Sequence, residues 1–422
     1  MKKLLIILIA VCGLLYACTS VDEPTPSEVT SQMQSLWDIY SVDEAVAIAN
    51  DIAAELDPST CRSSSRKAVI ENVVNYKTSK SRNEESPFYV VNYEDNQGYA
   101  IIAKKRIAQP VMAVINEGIY IEGEVINNPG FTMFMDAAIR FIESDTSSGS
   151  AEIRWQPGDG LIPAIQYKTV RDTISTLVVT PTMQSYQWGQ EYPEGLLCPN
   201  GKSGCSNTAI FLMMAYFQSP SSILYTYPGA EVPSQNISWK NVLTYHKPTG
   251  LYPTFIINTI SRICRQLGEL GGSDYSNPNQ TSTLPETYYG TLKTIFPSKS
   301  ITQLQDFTFD KAKQYIESGM VLMRGEEWQL DKTGNPVANF GGHAWIVDGC
   351  NYSYVIIYTY KKEYDDLDWV LESTKYQAKR LISINWGWNG LHNGYYESNV
   401  LNPRATEDQN LRYLNTQFIG VR

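Results

Sequence analysis

The sequence predicts an α+β protein in which a small α+β unit precedes a larger, strand-rich one. Three observations carry that expectation. A capping box opens a helix-periodic run near the start, two apolar β-like runs follow around a polar turn, and the second half mixes helical runs with many short strands. The 28 Tyr and nine Trp of the chain also favour β structure with aromatic packing.

The first helix is set by Ser41-Val42-Asp43-Glu44. The Ser side chain caps a backbone N–H, and Glu44 reaches back to the Ser41 N–H. Val42, Ala45, Val46, Ala49, Ile52, Ala53 and Leu56 follow at helical spacing, and Pro58 closes the run. Phe88–Tyr93 reads as a strand, Glu94–Gly98 as a turn and Tyr99–Ala103 as the returning strand. Val111–Ile115 and Gly118–Ile121 continue the sheet signal, and Phe131–Ile142 reads as a helix. Between residues 144 and 180 small polar residues and Pro157, Gly158 and Gly160 mark a passage between domains. Helices are expected over roughly 205–217 and 254–270.

Composition bounds the function. The chain has 422 residues, 43% hydrophobic and 18% charged, which is enough apolar material for large cores. A net charge of -10 without a Lys/Arg block argues against nucleic acid as a partner. Lys2, Lys3 and the apolar run Leu4–Leu15 form a targeting signal too short for a stable span. It ends in Leu15-Tyr16-Ala17-Cys18, which resembles a bacterial lipoprotein signal with Cys18 as the lipidated residue. An exported lipoprotein at the outer membrane, periplasm or cell surface follows from that, held to the membrane by its lipid. Of seven cysteines, Cys12 leaves with the signal and Cys18 takes lipid, so five remain and at least one thiol is unpaired within the chain. Cys198 is open between a redox partner for Cys205 and an unrelated buried thiol.

Three segments of the second half bear chemistry. In Cys198-Pro199-Asn200-Gly201-Lys202-Ser203-Gly204-Cys205, a Gly-bearing loop leads into an apolar helix, whose positive N-terminal end favours the thiolate of Cys205. Gly204 leaves room for a substrate carbonyl. Cys205, Thr208, Ala209, Leu212, Met213 and Tyr216 share one helical face. In Gly341-Gly342-His343-Ala344-Trp345, small neighbours leave the imidazole accessible to act as a base. His246 and His392, the other two histidines, lie in an ordinary loop and a turn, so His343 is the candidate. In Ile384-Asn385-Trp386-Gly387-Trp388, Asn385 can orient the imidazole and Trp386 can cover that bond. Each setting taken singly also fits a structural role: a buried small thiol, a strand-edge imidazole, a turn asparagine.

Together these segments resemble the streptopain family of bacterial cysteine proteases, which are papain-like in fold. The resemblance rests on Gly204-Cys205, Gly341-Gly342-His343-Ala344, Asn385-Trp386-Gly387-Trp388-Asn389-Gly390, Gly394-Tyr395-Tyr396 and the preceding Trp188-Gly189-Gln190. It implies a two-lobed papain-like domain behind a small α+β inhibitory pro-domain, the latter carried by Phe88–Tyr93 and Gly98–Ile102. The expected organisation is a signal at 1–17, a tether at 18–36, the pro-domain at 37–150, a linker and maturation region at 151–180, and the protease at 181–422. The implied catalytic set is Cys205, His343, Asn385 and Gln190, the last as oxyanion donor. Gly204, Gly342, Trp386 and Trp388 are assigned to substrate binding. The implied activity is a zymogen cysteine endopeptidase acting on polypeptides, with its own pro-domain as inhibitor and with no metal or cofactor. The alternatives are a Cys-His amidase of cell-wall peptides and an inactive, protease-derived surface lipoprotein. Two departures stand out. Ser206-Asn207 replaces the family's Val-Ala after the cysteine and is expected to alter the cleft floor. The segment from Gly268 to Thr287 matches poorly and is expected to shape a substrate pocket.

Overall fold

The computed structural model describes residues 39–56, 66–76, 86–107, 109–144, 166–222, 235–247, 252–330, 336–362, 368–402 and 412–422. The chain divides into two compact units, Met1–Ile39 and Tyr40–Arg422, and the second carries every element below. The leader, Cys18 and the tether lie outside the described residues.

The front unit follows its sequence signals closely. Helix α1 spans Val42–Leu56. Its capping box closes as expected: the Ser41 N–H donates to Glu44 Oε2 at 2.8 Å and the Glu44 N–H to Ser41 Oγ at 3.2 Å. Arg106 pairs with the same carboxylate at 2.6 Å. That hydrogen bond, with the Ser41 backbone, holds Glu44 below the usual carboxylate value. Strands β1 (Ala68–Asn75), β2 (Phe88–Tyr93), β3 (Tyr99–Ala103) and β4 (Val111–Ile115) form an antiparallel meander. The expected extension over Gly118–Ile121 is not a strand. Gly118, at φ 89°, makes only an isolated bridge with Gln97, and Gly123, at φ 83°, turns the chain again. Helix α2 then runs from Pro129 to Ser144.

Residues 145–165 lie outside the described residues. The expected linker over 151–180 is corrected in its second part. Gln166–Val179 is strand β5, paired antiparallel along the outer half of β8 (Pro336–Lys362). Its alternating Tyr, Thr and Val residues supply the β tendency that the neighbouring Gly/Pro turn signals masked. β8 is paired on its other side with β9 (Val370–Asn385), so a three-stranded ribbon extends from the sheet.

The helical lobe contains α3 (Cys205–Phe217), α4 (Trp239–Thr244), α5 (Thr254–Gly271) and α6 (Tyr288–Ile295). α3 is buried on every side from Ser206 to Ala215, not on one face alone, because it runs through the middle of this lobe. The sheet lobe adds β6 (Gln305–Asp306), α7 (Phe309–Ser318), β7 (Met320–Leu330), β10 (Gly394–Glu397) and β11 (Arg412–Val421).

Among the described residues one 11-stranded sheet runs through both parts, in the order β1-β2-β3-β4-β10-β9-β8-β7-β11-β6 with β5 beside β8. The junction is β4 against β10, with Ile115 opposite Gly394, Val114 opposite Tyr395 and Ala113 opposite Tyr396. Three cores form on this frame. Phe131 and Phe134 of α2 pack with Trp345, Trp386, Tyr396 and Phe418. Phe211, Leu212, Ile260 and Leu267 of the helical lobe meet Ile346 and Leu322. Ala45, Ala49 and Ala53 of α1 pack on Val91, Ala100 and Leu381.

One irregularity positions the second lobe. Val347 pairs with Ile384 and Gly349 with Ser383, leaving Asp348 as a bulged extra residue. Its carboxylate accepts from the Thr182 and Met183 N–H groups at 2.7 and 2.6 Å and from Ser383 Oγ at 3.2 Å. Burial pushes this carboxyl up, and those hydrogen bonds only partly counter it. Asp348→Ala strands the buried Met183 N–H and is expected to lower stability by about 2 kcal/mol, read as a drop in the urea midpoint at constant slope.

Candidate active site

Cys205 is the first residue of α3. Gly204 before it sits at φ 90° and ψ 149°, a conformation strained for any other residue, and Thr281 packs 3.1 Å from where a Cβ would stand. The thiol therefore meets a helix N-terminus and opens into a cleft of about 720 Å³. His343 reaches it from β8, where it faces the same side as Trp345. Burial opposes ionisation of Cys205. The hydrogen bond from His343, the imidazole's charge, the Ala344 N–H and Ser206 outweigh it and hold the thiol below its usual value.

The other side of the imidazole is held differently from the sequence expectation. His343 Nε2 bonds the backbone carbonyl of Trp386 at 2.7 Å. Asn385 does not touch it. Its amide donates to the Met183 and Tyr186 carbonyls at 2.7 and 2.8 Å and accepts from the Gly387 N–H at 2.9 Å. Asn385 ends β9 opposite Ile346, so its side chain leaves on the face turned toward residues 183–186. The assignment of Asn385 as orienting residue is thus replaced by a main-chain carbonyl one residue on, a role that leaves no side-chain signature in a sequence.

Gln190 lines the same cleft, and its buried Nε2 lacks a hydrogen-bond partner. The loop behind it is fixed: the Gln190 carbonyl accepts from the Ser203 N–H at 2.7 Å and Thr208 Oγ1 donates to the Gly189 carbonyl at 2.9 Å. Glu194 lies 1% exposed under this loop. Burial pushes its carboxyl up to about 8, against hydrogen bonds from its own N–H and that of Gly189. Nothing in the turn-like sequence around Glu194 marked it as buried.

The substrate-binding assignments divide. Gly342 and Trp388 line the cleft, and Trp388 meets the imidazole edge-on at 5.9 Å. Trp386 is fully buried and Gly204 lies behind Thr281, so neither presents a surface to the cleft. Trp386 acts from beneath, its ring 6.3 Å from the imidazole. Ser206 and Asn207 do not form the cleft floor either. Ser206 bonds the Tyr288 hydroxyl at 2.5 Å beneath the Cys205 thiol on which it also acts, and Asn207 points into the lobe, donating to the Ser203 carbonyl at 2.8 Å and to Ser273 Oγ at 3.0 Å. The segment from Gly268 to Thr287 does reach the cleft, through Asn279, Gln280 and Thr281. Asn200 Nδ2 pins this stretch to the cysteine loop through the Asn277 carbonyl at 2.8 Å and Thr281 Oγ1 at 3.0 Å. Cys198 is buried and in no disulfide, and burial raises its thiol.

The front unit completes the cleft. Ile126, Asn127, Pro129, Thr132 and Met133 line it opposite Cys205. Gly130 packs so closely that an added Cβ would stand 2.6 Å from His343 Cδ2 and collide with the Trp386 ring. Asn128 caps α2 through the Phe131 N–H at 3.1 Å and donates to the Leu391 carbonyl at 2.9 Å.

Residues 183–396 match the model of the peptidase C10 family. The chain belongs to that family. Residues 28–142 match the Spi protease inhibitor model. Streptopain of Streptococcus pyogenes serotype M1 is 20% identical over 349 residues, covering 76% of each chain. A second streptopain, of Streptococcus pyogenes, is 20% identical over 342 residues with the same coverage. A fragment of prointerpain A from Prevotella intermedia superposes with a TM-score of 0.50 at 18% identity, covering 83% of this chain and 98% of that one. The C10 peptidase thus has a papain-like domain behind an inhibitor-type propeptide, as a zymogen of a cysteine endopeptidase.

Because His343 is the main group lowering the Cys205 thiol, His343→Ala is expected to slow alkylation of Cys205 by iodoacetamide at pH 7 about tenfold or more, with recovery as pH rises toward 9.

Proposed function

We propose that Cys205 is the nucleophile and His343 the general acid–base of a thiol endopeptidase whose activity residues 40–144 hold off. The observation that carries this reading is the thiol–imidazole pair at a helix N-terminus beside an unpartnered amide, all lining one open cleft. His343 takes the Cys205 proton, and the Trp386 carbonyl holds the imidazole in the tautomer and orientation this needs. The thiolate attacks the peptide carbonyl. Gln190 Nε2 and the Cys205 N–H receive the developing oxyanion. His343 returns the proton to the leaving amine, and water releases the acyl group by the same route.

Inhibition works by occupancy. The α2 N-terminus stands on His343 and Trp386 at Gly130, and the cleft wall it supplies takes the space a polypeptide would need. The cut that frees the protease is placed between α2 and β5, in the stretch whose sequence carries small polar residues with Pro157, Gly158 and Gly160. Cys18 carries the lipid of an exported lipoprotein at the outer membrane, periplasm or cell surface; its support is the leader sequence alone. Loss of palmitate labelling in Cys18→Ser tests this last part.

Cys205→Ala is expected to abolish peptide hydrolysis and leave the precursor uncut, read by mass spectrometry; hydrolysis at the unaltered rate would overturn the assignment. Gln190→Ala is expected to lower kcat by about 10²–10³ while Cys205 alkylation is unchanged. Gly130→Val forces α2 off the imidazole and is expected to speed precursor processing.

A further inference from the structure

His392 was set aside in the sequence as a turn residue, and the turn is real: His392 itself sits at φ 62° and Asn389 at φ 55°. The ring, however, is enclosed by the front unit. Tyr99 of β3 places its hydroxyl 2.6 Å from His392 Nδ1. Phe131 of α2 stacks on the imidazole at 4.3 Å and 17°. Both residues leave when the propeptide leaves. The backbone of His392 faces the catalytic side: its carbonyl accepts from Trp386 Nε1 at 3.1 Å and from the Tyr396 hydroxyl. Trp386 in turn holds His343 through its own carbonyl. One residue thus touches the inhibitor with its ring and, with its main chain, the tryptophan that positions His343.

We propose that His392 is an acid-sensitive latch, which closes the inhibitory unit onto the catalytic loop while its imidazole is neutral and opens it when the imidazole is protonated. This rests on the reading of residues 40–144 as inhibitor. Among the described residues no anion is hydrogen-bonded to the ring to receive the charge. The phenol that meets the ring is Tyr99 on β3, which burial keeps neutral, and Tyr396 on β10, kept neutral in the same way, bonds the His392 carbonyl. Tyr120, on the loop after β4, packs against Tyr99 with Tyr76 beyond. Glu124, on that same loop, acts on Tyr99. On β10 the neighbouring Glu397 turns to the Asn399 N–H, and on α2 Asp136 acts on Tyr76. Among the described residues no carboxylate bonds the imidazole.

Burial lowers His392 to about 4 from an ordinary 6.5. A depressed histidine contributes its full stabilisation to the closed state above its open-state value and loses it as pH falls toward the closed-state value. The window is therefore about pH 6.5 to 4, and closure is expected to weaken about 30-fold between pH 7.5 and pH 5.

The test uses the full chain carrying Cys205→Ala, so no cleavage intervenes and a failed peptidase assay would leave the measurement standing. Amide hydrogen exchange across α2, corrected for intrinsic rate, is expected to lose about 30-fold protection from pH 7.5 to pH 5. His392→Gln, which keeps a hydrogen-bonding group but does not titrate, is expected to abolish that dependence. Unchanged protection in the parent chain, or the same loss in His392→Gln, would overturn the proposal. Should the variant be unprotected at both pH values, the His392 C2-proton titration in the parent chain decides. A midpoint well below 6.5 that coincides with α2 opening supports the latch, and an ordinary midpoint with α2 still protected overturns it.

Discussion

The hydrogen bond from His343 Nε2 to the Trp386 carbonyl is the contact on which the rest of the cleft depends. It joins neighbouring strands, so its geometry is set by the β8–β9 ladder, where Ile346 faces Asn385 and the Asp348 bulge follows. A backbone acceptor has a consequence that a side chain would not. It cannot rotate away, and it stays in place as long as the strand pairing does. Asn385 contributes indirectly, by tying the strand end to residues 183–186, the stretch that Asp348 also grips from the bulge. Two buried polar side chains thus set how the chain enters the helical lobe, and hence where Gln190 and Cys205 arrive.

The propeptide is built into the same frame. Its last strand, β4, hydrogen-bonds to β10 of the protease, and its helix α2 fills a core with Trp386 and Tyr396. Inhibition and folding therefore draw on one set of contacts. The aromatic residues that α2 covers are those under the imidazole, so a shift in α2 is felt at His343 through packing with few voids to absorb it.

Much of this was legible in the sequence, for reasons that differ by element. Helix α1 and strands β2 to β4 announce themselves because local periodicity and capping coincide with the tertiary answer. Cys205 was readable because a Gly neighbour at a helix start is a local signal, His343 because small residues flank it, and Gln190 only through the resemblance carried by Trp188-Gly189-Gln190; His343 stands inside β8 and not at its first position. Asn385 was misread because its partner is chosen by a strand face, and a one-residue offset separates the side chain from the carbonyl that does the work. β5 was missed because its strand character comes from pairing with β8, some 180 residues on, while the nearby sequence carries turn signals. Glu194 and His392 were invisible for a related reason: each is a polar residue in a turn, buried by segments distant in sequence.

A cut in the chain would leave the two parts joined by the contacts that hold them now. Were the chain cut between α2 and β5, as proposed, the β4–β10 ladder, the α2 core and the Arg140–Glu327 pair at 3.1 Å would all remain as non-covalent contacts. That pair is largely buried, so separating the two parts requires both charges to be resolvated. Departure also bares the β10 edge and the faces of Trp386 and Tyr396 that α2 had covered. The exposed edge is only four residues long, which limits its capacity to pair with other chains. Apolar burial therefore favours rebinding, and a separate term must oppose it for the active form to persist. Dilution of the cut fragment and its digestion are two such terms. Charge placed on a ring that the closed state buries is a third, and it acts on the closed complex itself, before any fragment has left.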